Sequence, residues 1–73
     1  MTESLVNRLR EERTRRGWTQ AELAERVGVS RKTVNTVENG VFVPSTVLAL
    51  KLARALQTRV ETLFSLEDER RKV

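Results

Sequence analysis

Apolar positions recur at three- and four-residue spacing along most of the chain, which is the period of an α-helix. The clearest stripe joins Leu48, Leu52 and Leu56, with alanines on the same face. It predicts an amphipathic helix that starts at a cap on Ser45 and ends near Leu56. Strand signals are weak, since the one cluster of β-branched and aromatic residues, at 41–43, is followed at once by a proline.

Capping residues and glycines divide the remaining sequence into four further helical segments. We expect a first helix from Thr2 or Ser4 to Arg16, a second from Thr19 to Gly28, a third from Ser30 to Asn39 and a short fifth near Val60–Phe64. Thr19 and Glu22 have the spacing of a capping box, and Trp18 can pack against Leu23 as a hydrophobic staple. Five such segments predict an all-α fold.

Size and composition fit one small domain and exclude several classes of protein. With 73 residues, of which 38% are hydrophobic, the chain allows a single domain with a small aliphatic core. We assign residues 1–66 to this domain and residues 67–73, which are almost all charged, to a flexible tail. The sequence contains no Cys and no His, which disfavours disulfides, metal sites and cofactor chemistry.

The charge balance and the lack of targeting signals bear on location and partners. Fourteen Lys and Arg against ten Asp and Glu give a net charge of +4, which is common in small domains that meet nucleic acid. No apolar run approaches the length of a membrane span, and the first residues lack the features of a signal peptide. We therefore expect a cytoplasmic, nucleoid-associated protein without membrane contact.

The second and third helices are separated by only Gly28 and Val29, which predicts a helix-turn-helix with the third helix in the major groove. At 100° per residue, the polar side chains of that helix lie within an arc of about 140°, opposite its two valines. This stripe contains no acid; its members are Arg31, Lys32, Asn35, Thr36 and Asn39. Cations, amides and hydroxyls suit base edges and phosphates, although an ordinary solvated face is the alternative interpretation.

Several short motifs keep a fixed spacing along the chain. They are Leu9-Arg10-Glu11-Glu12-Arg13, Gly17-Trp18-Thr19-Gln20-Ala21-Glu22-Leu23-Ala24, Val27-Gly28-Val29-Ser30, Val37-Glu38-Asn39-Gly40 and Pro44-Ser45. Together they resemble the Cro/CI-type (XRE-type) helix-turn-helix family of phage and bacterial repressors, over about Val6 to Phe64. The resemblance implies a compact, five-helix, lambda-repressor-like domain whose members commonly bind palindromic operators as dimers.

The resemblance also implies roles for individual side chains. Base contacts are expected from Arg31, Lys32 and Thr36, together with Asn35 on the same stripe, for which a phosphate contact is the alternative. Phosphate contacts are expected from Gln20, Ser30, Thr33 and Asn39. Arg13 and Glu38 match a buried or half-buried structural ion pair that links the first and third helices. Two positions depart from the family: Gln57 replaces a common Gly, and Arg59 stands where a Ser or Thr cap is usual, so we expect Thr58 to cap the last helix.

These observations predict a sequence-specific DNA-binding transcriptional regulator, expected to be a repressor and a homodimer on double-stranded DNA, with no small-molecule ligand. We expect the dimer surface at Val60 to Leu66, where apolar residues exceed what a small core can cover. An antitoxin-like or partner-dependent interaction module with the same fold is the alternative. An enzyme is disfavoured because no nucleophile and base converge; the adjacent Glu11 and Glu12, for example, diverge by about 100° on a helix.

Overall fold

A computed structural model describes residues 4–67 of the chain. Its elements follow in the order β1 (Leu5–Asn7), α1 (Leu9–Arg15), α2 (Gln20–Val27), α3 (Arg31–Glu38), α4 (Thr46–Leu56), α5 (Val60–Leu63) and β2 (Phe64–Leu66). The five expected helices are confirmed. The flexible tail predicted for residues 67–73 lies, apart from Glu67, outside the described residues.

The first helix is shorter than predicted, and the all-α assignment needs one correction. Residues 5–7 form β1, which pairs antiparallel with β2 so that Leu5 lies opposite Leu66 and Asn7 opposite Phe64. Neighbouring apolar residues at the start of the chain fit a helix as well as a strand. The strand that decides between them lies at the other end of the domain, so the local pattern does not reveal it.

Asn7 joins this small sheet to the helices. Its Oδ1 accepts a hydrogen bond from the backbone N–H of Leu9 at 2.9 Å, which satisfies a free donor at the start of α1. Its Nδ2 donates to the carbonyl of Val37 at the end of α3. The backbone N–H of Arg8 donates to the carbonyl of Leu63 at 2.8 Å. The start of the chain is thereby attached to both α3 and α5.

Three predicted helix caps are confirmed. The side chains of Thr19, Ser30 and Ser45 each accept a hydrogen bond from the backbone N–H three residues further on. Glu22 completes the capping box of α2, because its Oε1 accepts from the backbone N–H of Thr19 at 2.7 Å. The local sequence therefore sets the start of α2, α3 and α4.

The expected Thr58 cap of α5 is wrong. Gln57 adopts the left-handed conformation, with φ of 54°, and ends α4 where a glycine is common. The backbone N–H of Thr58 then donates to the carbonyl of Ala53 at 2.9 Å, so Thr58 closes α4. The N-cap position of α5 falls on Arg59, whose side chain makes no capping hydrogen bond.

The core is small and mostly aliphatic, as the composition predicts. Within residues 4–67, eleven apolar side chains are buried: Leu9, Leu23, Ala24, Val27, Val34, Val37, Leu52, Ala53, Leu56, Leu63 and Phe64. Trp18 packs against the edge of this core, and the guanidinium of Arg26 lies 4.1 Å from the centre of its ring. Among the helices of residues 4–67, none has the length and apolar character needed to cross a bilayer.

Candidate nucleic-acid interface

The turn between α2 and α3 depends on a left-handed glycine. Gly28 has φ of 88°, and a Cβ added there would meet no atom within 4 Å, so the backbone conformation rather than space favours glycine. The backbone N–H groups of Gly28 and Val29 both donate to the carbonyl of Ala24, at 2.8 and 3.0 Å. This tight closure turns the chain directly into α3, and α3 packs on α2 through its valine face.

One face of α3 is buried and the other is open to solvent. Val34 and Val37 are each 1% exposed, whereas Arg31, Lys32 and Asn35 are exposed on the opposite side. In residues 4–67, neither Arg31 nor Lys32 forms an ion pair. Two cations that have no acidic partner in the described part of the chain therefore project from the solvent face of α3.

The hydroxyl groups of α3 are held by local hydrogen bonds. Thr36 is half-buried, and its Oγ1 donates to the carbonyl of Thr33 at 2.9 Å. This hydroxyl therefore keeps only acceptor capacity, alongside its methyl group. Ser30 Oγ and Thr33 Oγ1 lie 3.0 Å apart at the N-terminus of α3, where the helix dipole favours a negative group.

Glu38, the one acid of α3, is withdrawn from the surface. Its Oε2 accepts from Nε of Arg13 at 2.6 Å, and its Oε1 accepts from Nη2 of Arg13 at 3.2 Å. The two side chains are 0% and 12% exposed respectively. Nη1 of Arg13 also donates to the carbonyl of Trp18 at 2.7 Å. This pair links α1 to α3 and leaves the exposed face of α3 without a carboxylate.

The environment of Glu38 keeps it ionised. Burial alone would raise its pKa, but hydrogen bonds from Arg13 and Gln20, the positive charge of Arg13 and a hydrogen bond from Arg10 outweigh that effect. The pKa of Glu38 therefore lies below its ordinary value of about 4.5. Glu38 is a permanent hydrogen-bond acceptor at neutral pH.

Three side-chain amides surround this ion pair and form what we call the amide network: Gln20, Asn35 and Asn39. Gln20 Nε2 donates to Glu38 Oε1 at 3.0 Å and to Asn35 Oδ1 at 3.2 Å. Asn39 Nδ2 donates to Asn35 Oδ1 at 3.0 Å. The structure thus brings together one side chain from α2, one from the exposed face of α3 and one from Asn39, the C-cap residue of α3.

Arg10 belongs to this arrangement, and the sequence interpretation missed it. Its Nη2 donates to Asn39 Oδ1 at 2.7 Å, and its Nε lies 3.4 Å from Glu38 Oε1. The available signal was its position three residues before Arg13, which places both arginines on one face of α1. Its side chain is 56% exposed, so it adds positive charge beside the C-terminal end of α3.

A separate apolar groove of about 220 Å³ lies between the sheet and α4. Its lining includes Leu5, Val43, Ala49, Leu50 and Val60. Leu63 and Phe64, which fall within the expected dimer surface at Val60 to Leu66, are buried in the core. Most of the large apolar side chains that are exposed in residues 4–67 lie in the loop before α4 and on α4 itself. They are Val41, Phe42, Val43, Val47 and Leu50.

The sequence profile of a helix-turn-helix family, HTH_3, matches residues 9–63. The chain belongs to the HTH_3 helix-turn-helix family. The match contains α1 to α5 and the entire interface described above, and it confirms the XRE-type resemblance and the lambda-repressor-like fold. HTH_3 proteins are DNA-binding transcriptional regulators, and this chain is a transcriptional regulator with that fold.

Two relatives of this HTH_3 protein are HTH-type transcriptional regulators. YgzD of Bacillus subtilis is 46% identical over 65 residues, which cover 89% of this chain and 98% of YgzD. A regulator from Archaeoglobus fulgidus is 48% identical over 62 residues, which cover 85% of this chain and 89% of the relative. The similarity therefore spans nearly the full length of both relatives.

Solved structures support the same fold. The restriction-modification controller protein C.AhdI from Aeromonas hydrophila superimposes with a TM-score of 0.72 at 44% identity, covering 74% of this chain and 82% of C.AhdI. SinR, from the SinR–SinI complex, superimposes with a TM-score of 0.73 at 29% identity, covering 89% of this chain and 61% of SinR. The fold of this chain is thus shared with a restriction-modification controller protein and with SinR.

Proposed function

We propose that this HTH_3 protein is a sequence-specific DNA-binding repressor that inserts α3 into the major groove of a palindromic operator as a homodimer. The observation that supports this most is the solvent face of α3, from Ser30 to Asn39. It presents Arg31 and Lys32 while the side chain of Glu38 is 0% exposed. An α-helix about 10–12 Å wide fits a groove about 12 Å wide.

Each side chain of the interface is given one role in this proposal. Arg31, Lys32, Asn35 and Thr36 contact base edges, and Ser30, Thr33 and Asn39 contact phosphates. Gln20 contacts a phosphate through its backbone N–H at the start of α2, because both protons of its Nε2 are donated to Glu38 and Asn35. Because the Thr36 hydroxyl already donates within α3, it offers an acceptor or its methyl group to the base. Occupation of a promoter in the cytoplasmic nucleoid is the simplest way for such a domain to repress transcription.

Enrichment of duplexes from a random pool, followed by fluorescence anisotropy at two salt concentrations, tests this function. We expect a palindromic consensus whose half-sites lie about one helical turn apart, bound at least about 10³-fold more tightly than scrambled DNA. Weak binding that falls steeply with salt and shows no consensus would reduce the interaction to charge attraction.

Replacing Arg31 or Lys32 with alanine should weaken operator binding by about 1–3 kcal/mol each, because each loses a base contact. Thermal unfolding should not change, since both side chains are exposed. Arg59→Ala is the matched control: it removes the same charge from an 81% exposed side chain outside α2 and α3. Operator affinity that falls equally in all three variants would argue against the proposed reading face.

The homodimer is proposed to form across the apolar groove. A single module of this size buries about 600–1,000 Å² of its surface on DNA, so a second copy doubles the contact with the operator. Val43 and Leu50, which line the groove, are 69% and 54% exposed, and Val47, one turn before Leu50 on α4, is 63% exposed. Exposed apolar patches of this kind mark interaction sites. A second copy of the same groove would cover them.

Leu50→Glu should convert a dimer into a monomer in sedimentation-velocity experiments, because it places a charge in the proposed interface. Val41→Glu is the matched control, since Val41 is 78% exposed and does not line the groove. We expect it to remain a dimer. Identical sedimentation of wild type and Leu50→Glu would place the interface elsewhere.

The same groove supports a second candidate, a partner-dependent or antitoxin-like module, because an apolar surface also suits another protein. SinR, whose fold this chain shares, was solved in complex with SinI. A monomeric wild-type protein that binds its operator only together with a co-purified partner would favour this candidate over the homodimer.

A further inference from the structure

The amide network has a charged group at each end, and these two groups determine the orientation of all three amides. At one end, Glu38 is an ionised carboxylate, which accepts hydrogen bonds and donates none. At the other end, Arg10 is a guanidinium, which donates and accepts none. Gln20 and Asn39 each contact one end, and Asn35 lies between them.

The orientation follows from donor and acceptor matching. Because Glu38 only accepts, Gln20 must direct its NH₂ group towards it, and the same nitrogen reaches Asn35. Because Arg10 only donates, Asn39 must direct its carbonyl oxygen towards it, which leaves the NH₂ of Asn39 facing Asn35. Two NH₂ groups therefore converge on Asn35, and only its carbonyl oxygen can receive both.

The side chain of Asn35 is consequently left as a hydrogen-bond donor, because its own acceptor, the carbonyl oxygen, is already occupied. Its Oδ1 accepts at 3.2 and 3.0 Å, which uses both lone pairs. Within residues 4–67, its Nδ2 has no hydrogen-bond partner, and the residue is exposed on the same face as Arg31 and Lys32. Both protons of Nδ2 remain available to a ligand.

This arrangement changes what Asn35 can recognise. An unconstrained Asn pairs with adenine by accepting from N6 and donating to N7, which requires a free carbonyl oxygen. Guanine instead presents two adjacent acceptors, N7 and O6, and asks only for donors. We propose that Asn35 selects guanine over adenine at the base pair it faces, because the amide network occupies its carbonyl oxygen. This inference rests on the proposed DNA-binding function.

The experiment first locates the base pair. Binding preferences of wild type and Asn35→Ala are measured at every position of the enriched operator, and the position whose preference disappears in the variant is the one read by Asn35. There, wild type should bind the guanine duplex about five- to 150-fold more tightly than the adenine duplex. Replacing that guanine with 7-deazaguanine, which lacks the N7 acceptor, should weaken wild type but not Asn35→Ala.

The role of the network is tested by the double variant Gln20→Ala/Asn39→Ala, which frees Oδ1 of Asn35. Loss of the Asn39 phosphate contact lowers affinity for every sequence alike, so the readout is the guanine-to-adenine ratio at this one position. We expect that ratio to fall towards one or to invert. Arg31→Ala is the control, because it should alter the preference at a different base pair and leave this ratio unchanged.

Several outcomes would overturn the inference while leaving the proposed function intact. One is a wild-type preference for adenine at this position. Another is a loss of affinity in Asn35→Ala that is equal for all sequences, as the loss of a phosphate contact would give. The third is an unchanged guanine-to-adenine ratio in the double variant. Failure to enrich any operator is a different result, since it removes the proposed function itself. The 7-deazaguanine measurement uses only wild type and Asn35→Ala. It therefore still tests the inference if the double variant folds poorly.

Discussion

Val37→Asp is expected to leave the domain unfolded at room temperature. Val37 is 1% exposed on the inner face of α3, so the new carboxylate would enter the core without a partner. An unpaired buried charge costs several kcal/mol even after relaxation. A domain of 73 residues has a total stability of about 4–11 kcal/mol, and small domains lie towards the lower end. One such substitution therefore consumes most of the stability available.

Circular dichroism at 222 nm with thermal melting measures this effect. The matched control is Val41→Asp, which makes the same change at a side chain that is 78% exposed. We expect the control to melt within a few degrees of wild type, because surface substitutions change stability by about 0.5 kcal/mol or less. A cooperative, wild-type-like melt of Val37→Asp would mean that α3 is rotated relative to the structure described here.

The parts of the fold that the sequence predicts are those set by local interactions. Thr19, Ser30 and Ser45 each act on a backbone N–H three residues away, so their capping role is visible in a short stretch of sequence. The valine pair of α3 and the stripe of α4 follow from helical periodicity alone. These signals place the helix-turn-helix and the orientation of its exposed face.

The features that the sequence did not predict depend on distant residues. β1 is a strand because its partner is β2, at the opposite end of the domain. The role of Arg10 depends on the approach of α1 to the C-terminal end of α3, where it meets Asn39 at 2.7 Å. Helical spacing places Arg10 on the face of Arg13, but only the packing of the two helices identifies the group that it contacts.

The donor-only state of Asn35 is also beyond the reach of sequence reasoning. Its helical position indicates an exposed amide, and an exposed amide by itself pairs most readily with adenine. The approach of Gln20 from α2 and of Asn39 from the next turn of α3 reverses this expectation, because both donate to the same oxygen. The specificity that we propose for Asn35 thus depends on tertiary contacts among residues that the sequence assigns to separate roles.

Glu38→Ala is expected to lower the free energy of unfolding by about 3–5 kcal/mol, the range observed when one member of a buried ion pair is removed. Arg13, whose side chain is 12% exposed, would retain its charge, and among residues 4–67 the carbonyl of Trp18 would be its one remaining partner. Arg10 and Gln20 would also lose an acceptor. Urea unfolding at neutral pH should show a lower midpoint with an unchanged slope.

Two controls separate buried charge from ordinary ion pairing. Glu61→Ala removes one member of the Arg59–Glu61 pair, whose side chains are 81% and 75% exposed at 3.8 Å, and should cost at most about 1 kcal/mol. The double variant Arg13→Met/Glu38→Leu removes both charges and should recover much of the lost stability. Equal costs for Glu38→Ala and Glu61→Ala would contradict the buried geometry.

The same ion pair gives the domain an acid sensitivity whose sign is fixed by the pKa of Glu38. Because the folded state lowers this pKa, unfolding raises it, and the unfolded chain binds the proton more readily. The stabilisation is complete above the ordinary pKa of about 4.5 and is lost as the pH falls from there through the lower folded value.

Glu38→Gln removes this titration. Urea midpoints measured from pH 7 to pH 3 should therefore fall less steeply in Glu38→Gln than in wild type, because the other carboxylates contribute equally to both. Parallel curves would show that the pKa of Glu38 in the folded protein is not below its ordinary value.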